Sequence, residues 1–147
     1  MNIPCTRGVE WSDKMALMEI SFPEGKKVDA SFKGFTVRTD QSIRAGGEGK
    51  DPAPFDLFLS SLGTCTGIYA LNFCESKGLS TEGLKMTLDT EKDSETYMIS
   101  KITMALTLPE GFPVKYEQAI LRSMNLCAVK KHMLNPPEFD IKIEEIK

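Results

Sequence analysis

"DPAPFDLFLSSLGTCTGIYALNFCESKG", residues 51–78, is the stretch that decides the fold. Pro54 suits a first helical turn, where no backbone donor is needed. Asp56 falls in the same turn, where a negative charge meets the positive end of the helix dipole. Gly78 supplies a stop. The pattern predicts one long helix over 54–77. Phe55, Leu57, Phe58, Leu59, Leu62, Ile68, Tyr69, Leu71 and Phe73 set apolar side chains almost all round it. Such a helix is expected to be buried on most sides. The small residues Ser60, Ser61, Gly63, Thr64, Thr66 and Gly67 are expected to let neighbouring elements approach closely.

Upstream, the chain reads as strands. "MALMEISF" (15–22) alternates, with Ala16, Met18, Ile20 and Phe22 on one parity, and "VDASF" (28–32) alternates again. "PEGKK" turns between them, and "KG" at 33–34 makes a two-residue turn into Phe35 and Val37. This suits a three-stranded antiparallel meander with one wet face. The irregular stretch 38–54 holds Gly46, Gly47, Gly49, Pro52 and Pro54. A loop of that length is usually functional or mobile.

Downstream, "LKMTLDT" (84–90) points Leu84, Met86 and Leu88 inward. "YMISKITMALTL" (97–108) does the same with Met98, Ile102, Met104, Leu106 and Leu108, across the charged hairpin loop "EKDSET". Residues 113–127 have helical spacing through Val114, Tyr116, Ile120, Leu121 and Met124, and "CAVKKHML" reads as a separate short helix. "FDIKIEEI" (139–146) alternates and reads as a closing strand. The order is βββ–α–ββ–α(α)–β, an α+β fold with helices segregated from antiparallel strands.

At 147 residues the chain has the length of one domain and can bury a real core. A net charge of −3 does not favour nucleic acid or an anionic membrane. No uninterrupted apolar run approaches the roughly 18 residues of a membrane span. "MNIPCTRGVEWSDK" lacks the basic start and apolar middle of a signal peptide. The expected location is the cytoplasm, where thiols stay reduced.

Cys5, Cys65, Cys74 and Cys127 then read as free thiols. With no CxxC and a single histidine, they do not have zinc-ligand spacing. Nine steps of about 100° set Cys65 and Cys74 half a turn out of phase on the helix, so they cannot pair. Cys65 shares a face with Phe58, Leu62 and Tyr69; it is either a small buried hydrophobe or a reactive thiol. Cys74 reads as a packing residue. Cys127 falls at the N-cap of the helix it precedes, where backbone N–H groups and the dipole favour thiolate. Lys130 and Lys131 add positive potential nearby. Packing remains the alternative for Cys127. His132 lies five residues on, off the same-face spacing, and reads as a surface or hydrogen-bonding side chain. Cys5 sits in a tail and has no assigned role.

"DPAPFDLFLSSLGTCTGIYAL" resembles the active-site helix of the OsmC/Ohr family, the osmotically inducible and organic hydroperoxide resistance proteins. "NLCAVKKHML" resembles the late helix that opens on the family's second cysteine. The style of "GGEGKDPAPFDLFLSSLGTC" is closer to the OsmC-like branch than to Ohr proper. The resemblance covers about residues 14 to 146. It implies one OsmC-like domain, with 1–13 as an N-terminal extension, assembled as an intertwined homodimer. It implies Cys65 as peroxidatic thiol and Cys127 as resolving thiol, reducing small hydroperoxides. No cofactor is implied, only an external dithiol reductant. Phe55, Phe58, Leu62 and Tyr69 are the expected apolar wall of the substrate pocket. In the family an arginine near the first hairpin and a glutamate at the start of the central helix support the thiolate. Here the hairpin reads "FPEGKK" and the glutamate position is Phe55. Asp56 is adjacent, and Arg38 and Arg44 are the candidate cations in the long loop. A different class of function also fits: a non-peroxidatic protein holding a small hydrophobic or sulfur-containing ligand in the apolar pocket.

Overall fold

The computed structural model describes residues 16–143. They divide between Asp56 and Leu57 into two compact units.

The first unit is built on a three-stranded antiparallel sheet, β1 (Glu19–Ser21), β2 (Asp29–Phe32) and β3 (Phe35–Val37), in the order β1-β2-β3. Ile20 pairs with Ala30, and Phe32 with Phe35. Lys33 and Gly34 both have positive φ, 49° and 80°, the twist of a type I′ turn that matches the flanking strands. The meander is as expected, but β1 is only three residues long, and Met15 lies outside the described residues.

The long loop that follows is ordered by one buried carboxylate. Asp40 is 1% exposed and accepts from the amides of Gln41 (2.7 Å), Glu48 (3.0 Å) and Lys50 (3.3 Å). Ser42 and Gln41 carbonyls accept from Gly47 and Gly49, and Pro52 accepts from the Asp40 amide. Gly47 is required by space: a Cβ there would stand 2.0 Å from the Gln41 carbonyl oxygen. Lys27 pairs with Glu48 at 2.7 Å on the outside. Burial pushes the Asp40 carboxyl up, but the three amides and the Lys27 charge outweigh it and hold the group below its ordinary value.

The second unit contains almost all of α1 (Pro54–Ser76), the hairpin β4 (Lys85–Lys92) and β5 (Ile99–Thr107), α2 (Glu117–Met124) and α3 (Ala128–Leu134). The Asp56 carboxylate accepts from the Ala53 amide at 3.0 Å, closing the helix start as the third-position acid of a capping box does. At the other end Gly78 has φ 63°, the Leu79 amide bonds to the Cys74 carbonyl and the Gly78 amide to Glu75, a Schellman stop. Leu79 then packs on the core.

That core joins Ala70 and Cys74 of α1 to Ile120 and Met124 of α2, covered by Phe73, Leu84, Met86, Leu106 and Leu108 among others. The hairpin alternation is thereby confirmed, except that Met98 lies in the turn before β5 and is exposed. Val114 is exposed in a 3-10 turn that precedes α2, so the α-helix starts later than the apolar spacing suggests, and Leu121 points outward.

Three expectations are corrected. First, α1 is not buried on most sides of this chain. Only Leu62, Thr66, Ala70 and Cys74 are fully buried, a single i, i+4 stripe, and Ile68 is exposed. By length and composition α1 would also pass as a membrane span, which a count of uninterrupted apolar residues misses; its buried stripe packs on the core instead. Second, close approach does not demand glycine on α1. A Cβ on Gly63 or Gly67 would meet Leu88 or Met86 at an ordinary 3.8 Å. Third, residues 139–143 form no strand, and Phe139, Ile141 and Ile143 are almost fully exposed. Alternation marks a face suited to burial, but a strand also needs an edge to pair with; the remainder of the expected strand, 144–146, lies outside the described residues.

Two substitutions separate space from conformation. Gly47→Ala is expected to destabilise by about 1–3 kcal/mol, several degrees of melting temperature for a chain of this size. Gly63→Ala is expected to be neutral or to stabilise by up to about 1 kcal/mol through helix propensity. Thermal denaturation of both variants checks the pair. The depressed Asp40 pKa contributes stability that is present above the unfolded carboxyl value, about 3.9, and is lost as pH falls through the folded one. Asp40→Asn should therefore melt lower than wild type at pH 7 and show a smaller fall in melting temperature on acidification below pH 4.

Candidate functional site

The site is built where α1 meets the junction between α2 and α3. Thr66 lies on the buried stripe of α1 at 5% exposure, and Cys65, one position earlier, is half-buried at the stripe's edge. From the other side, α2 ends at Met124 and the chain turns through Asn125 and Leu126 to Cys127. The Ser123 hydroxyl donates to the Tyr69 carbonyl at 3.1 Å, pinning the end of α2 to α1 across 54 positions of sequence. This pin and the Ile120 and Met124 packing carry Cys127 to the helix face that bears Cys65 and Thr66.

Cys127 is the N-cap of α3, as its position in the sequence suggested. Its sulfur accepts from the Lys130 amide at 3.4 Å, and its side chain is 0% exposed. The Thr66 hydroxyl and the Cys65 thiol both neighbour the Cys127 sulfur, with the Thr66 oxygen making no formed hydrogen bond in this state. Burial pushes this thiol up. The Thr66 hydroxyl, the Lys130 amide, the Cys65 thiol and the Val129 amide together outweigh burial and hold Cys127 below the ordinary thiol value. Cys74 shows the contrary case: buried among Ala70, Ile120 and Met124 with no such donors, its thiol is pushed up. Cys65, Cys74 and Cys127 are all unbridged; Cys5 lies outside the described residues.

The other candidate residues are dispersed in role. Asp56 serves the helix N-terminus. Arg38 and Arg44 are exposed and form no salt bridge among the described residues. Lys130 turns its ammonium to the Asn125 side chain, and Lys131 is exposed, so neither ammonium bonds to a thiol. His132 is exposed, its Nδ1 bonded to the Ala128 carbonyl of its own helix at 2.8 Å. Of the proposed apolar wall, Leu62 is buried, Phe58 and Tyr69 are half-buried, and Phe55 is 54% exposed. A cleft of about 240 Å³ belongs to the first unit; Glu24, Lys26, Lys27, Asp40, Gly47 and Glu48 line it, with none of these wall residues. Among the described residues no three His, Cys, Asp or Glu side chains gather as a metal site.

Thr66 is the site residue that the sequence reading did not single out. Its signal was present: it is four residues from both Leu62 and Ala70, so it shares their buried phase. What it touches depends on α2 and α3, more than fifty residues downstream.

Residues 47–142 match the OsmC-like protein family, and the chain belongs to that family. Solved structures share the fold at low identity. A Psychrobacter arcticus protein, provisionally described as an osmotic stress induced and detoxification response protein, has a TM-score of 0.69 at 16% identity, covering 82% of this chain and 90% of that one. A hypothetical protein from Aquifex aeolicus gives 0.58 at 16% identity, over 84% and 89%. An organic hydroperoxide resistance protein OsmC from Legionella pneumophila gives 0.53 at 15% identity, over 82% and 90%. No curated protein sequence matches the chain.

The opposed shifts of Cys127 and Cys74 have a direct readout. Thiolate absorbance near 240 nm, followed against pH in reduced protein, should lose its early-rising component in Cys127→Ser. In Cys74→Ala it should lose a late one.

Proposed function

We propose that this chain is a thiol-dependent reductase of organic hydroperoxides, with Cys65 as peroxidatic and Cys127 as resolving thiol. The observation that carries the reading is the meeting of two reduced cysteines from distant parts of the chain. One is half-buried and open to a small substrate; the other is sealed and supplied with donors suited to a thiolate. Membership of the OsmC-like family and the name of the Legionella neighbour support a redox role in a stress response.

In this mechanism the Cys65 thiolate attacks the outer oxygen of the hydroperoxide. The O–O bond breaks, an alcohol leaves after taking up a proton, and Cys65 becomes a sulfenic acid. The Cys127 thiolate attacks that sulfur and expels hydroxide, which is protonated to water, leaving a Cys65–Cys127 disulfide. An external dithiol reduces the disulfide by exchange, and no further cofactor is called for. Leu62, Phe58 and Tyr69 would favour an organic over an inorganic peroxide. A reducing compartment such as the cytoplasm suits free thiols.

The functional unit in this reading is a homodimer. Support comes from the apolar surface of the second unit left uncovered by one chain: Ile68, Leu126, Phe139, Ile141 and Ile143 are exposed. Sedimentation equilibrium should return twice the chain mass, and Ile141→Asp/Ile143→Asp should shift it toward the monomer; a monomeric wild type would remove this part of the proposal.

One observation favours a second reading. Among the described residues no arginine or lysine side chain bonds to either thiol. A protein that binds a small hydrophobic or sulfur-containing molecule on this fold needs no such cation.

Oxidation at stoichiometry separates the two. One equivalent of cumene hydroperoxide added to reduced protein should close the Cys65–Cys127 bond, mapped by mass spectrometry after thiol quenching. Cys127→Ser should instead accumulate sulfenic acid at Cys65. Oxidation no faster than that of a free model thiol, or scattered over all cysteines, would rule out the peroxidase and favour the binding protein.

A further inference from the structure

We infer that Thr66 is a positioning residue of the thiol site: its hydroxyl receives the Cys127 thiolate when the Cys65–Cys127 disulfide is opened. The inference rests on the dithiol reading above and adds a residue and a direction to its reductive half.

The hydroxyl's own geometry is the first ground. Three other hydroxyls on α1 are satisfied locally: Ser61 donates to the Phe58 carbonyl, Thr64 to Ser60, and Ser76 to Phe73. A helical threonine has the same option one turn back. Thr66 does not use it. Its Oγ1 is buried and has no hydrogen-bond partner among the described residues. A buried hydroxyl in that state is unfavourable unless some state of the protein supplies an acceptor. The group it faces is the Cys127 sulfur, a weak acceptor as a thiol and a strong one as a thiolate. The Lys130 amide aims at the same sulfur at 3.4 Å.

The second ground is the unequal exposure of the two sulfurs. Cys65 is half-buried and Cys127 fully buried, so a dithiol from solvent reaches the Cys65 sulfur first. A reductant thiolate bonds to the Cys65 sulfur, the S–S bond breaks, and its electron pair departs on Cys127. The second thiol of the reductant then attacks its own sulfur in the mixed disulfide and closes a ring. Cys65 is released as a thiolate, and the two protons of the dithiol end on the two cysteines. In such exchange the better-stabilised thiolate leaves faster. Thr66 and the Lys130 amide thus make Cys127 the leaving group.

Among the described residues the titratable groups bearing on Cys127 are few. Cys65 faces it from α1. On its own helix, Lys130 directs its ammonium to Asn125, while Lys131 and His132 are exposed. Removal of one hydroxyl is therefore readable against a simple background.

The test compares Thr66→Val, which keeps the shape and removes the donor, with Thr66→Ser, which keeps the donor. The disulfide is formed with diamide, so the test does not depend on peroxide activity. Its opening by dithiothreitol is followed at several pH values, alongside the thiolate absorbance of the reduced protein. Thr66→Val is expected to open about tenfold more slowly at pH 7 and to raise the pH at which the early thiolate appears. Thr66→Ser should restore both toward wild type. Thr66→Val matching wild type in opening rate and titration would overturn the inference. So would Thr66→Ser behaving like Thr66→Val at an unchanged melting temperature, or diamide failing to link Cys65 to Cys127. A Cys65 that ignores peroxide while Thr66→Val still slows disulfide opening would defeat the peroxidase alone.

Discussion

The contact of Ala70 and Cys74 with Ile120 and Met124 is the constraint on which the second unit depends. Side chains of α1 and α2 share one buried cluster there, and the Ser123–Tyr69 hydrogen bond ties the end of α2 to α1. Once α2 is seated, the few residues after it have little freedom. Cys127 arrives at a defined place because it is three residues beyond a buried methionine, not because it seeks Cys65. The same packing puts Cys74 in an inert setting and Cys127 in a polar one, though both are sealed from solvent. What separates the two thiols is the donors around them: a helix N-terminus and a hydroxyl for one, apolar side chains for the other.

The first unit is organised on a different principle. Its sheet is small and its outer side chains are largely exposed, so apolar burial contributes less. Asp40 takes over that task for the loop by gathering three amides on one carboxylate. Charge-assisted bonds of this kind are about twice as strong as neutral ones, and here they replace a sheet ladder that the glycine-rich chain cannot form. Gly47 completes the turn because no side chain fits against the Gln41 carbonyl.

Cys65 and Cys127 differ in exposure, one half-buried and the other sealed, and the proposed dithiol cycle would use that difference. A nucleophile meant for an outside substrate must be reachable. A thiol meant for an internal partner gains from being dry and hydrogen-bonded, because low dielectric strengthens each donor it has.

The sequence by itself determined the features set by neighbours along the chain. Pro54, Asp56 and Gly78 marked both ends of α1 through capping chemistry confined to one turn. "KG" marked the β2–β3 turn, and alternation marked the β4–β5 hairpin. Cys127 was legible as an N-cap from the helical pattern that follows it. The α+β order followed from these. Tertiary structure alone decided which quarter of α1 is buried, because its apolar residues run almost all round and periodicity cannot choose among equivalent faces. It decided that 139–143 stays unpaired, because alternation records a potential face and not an available edge. It decided that Lys130 serves Asn125 and that Thr66 neighbours Cys127. The neighbourhood of Thr66 and Cys127 depends on residues about sixty positions apart, and the packing of α1 against α2 sets it.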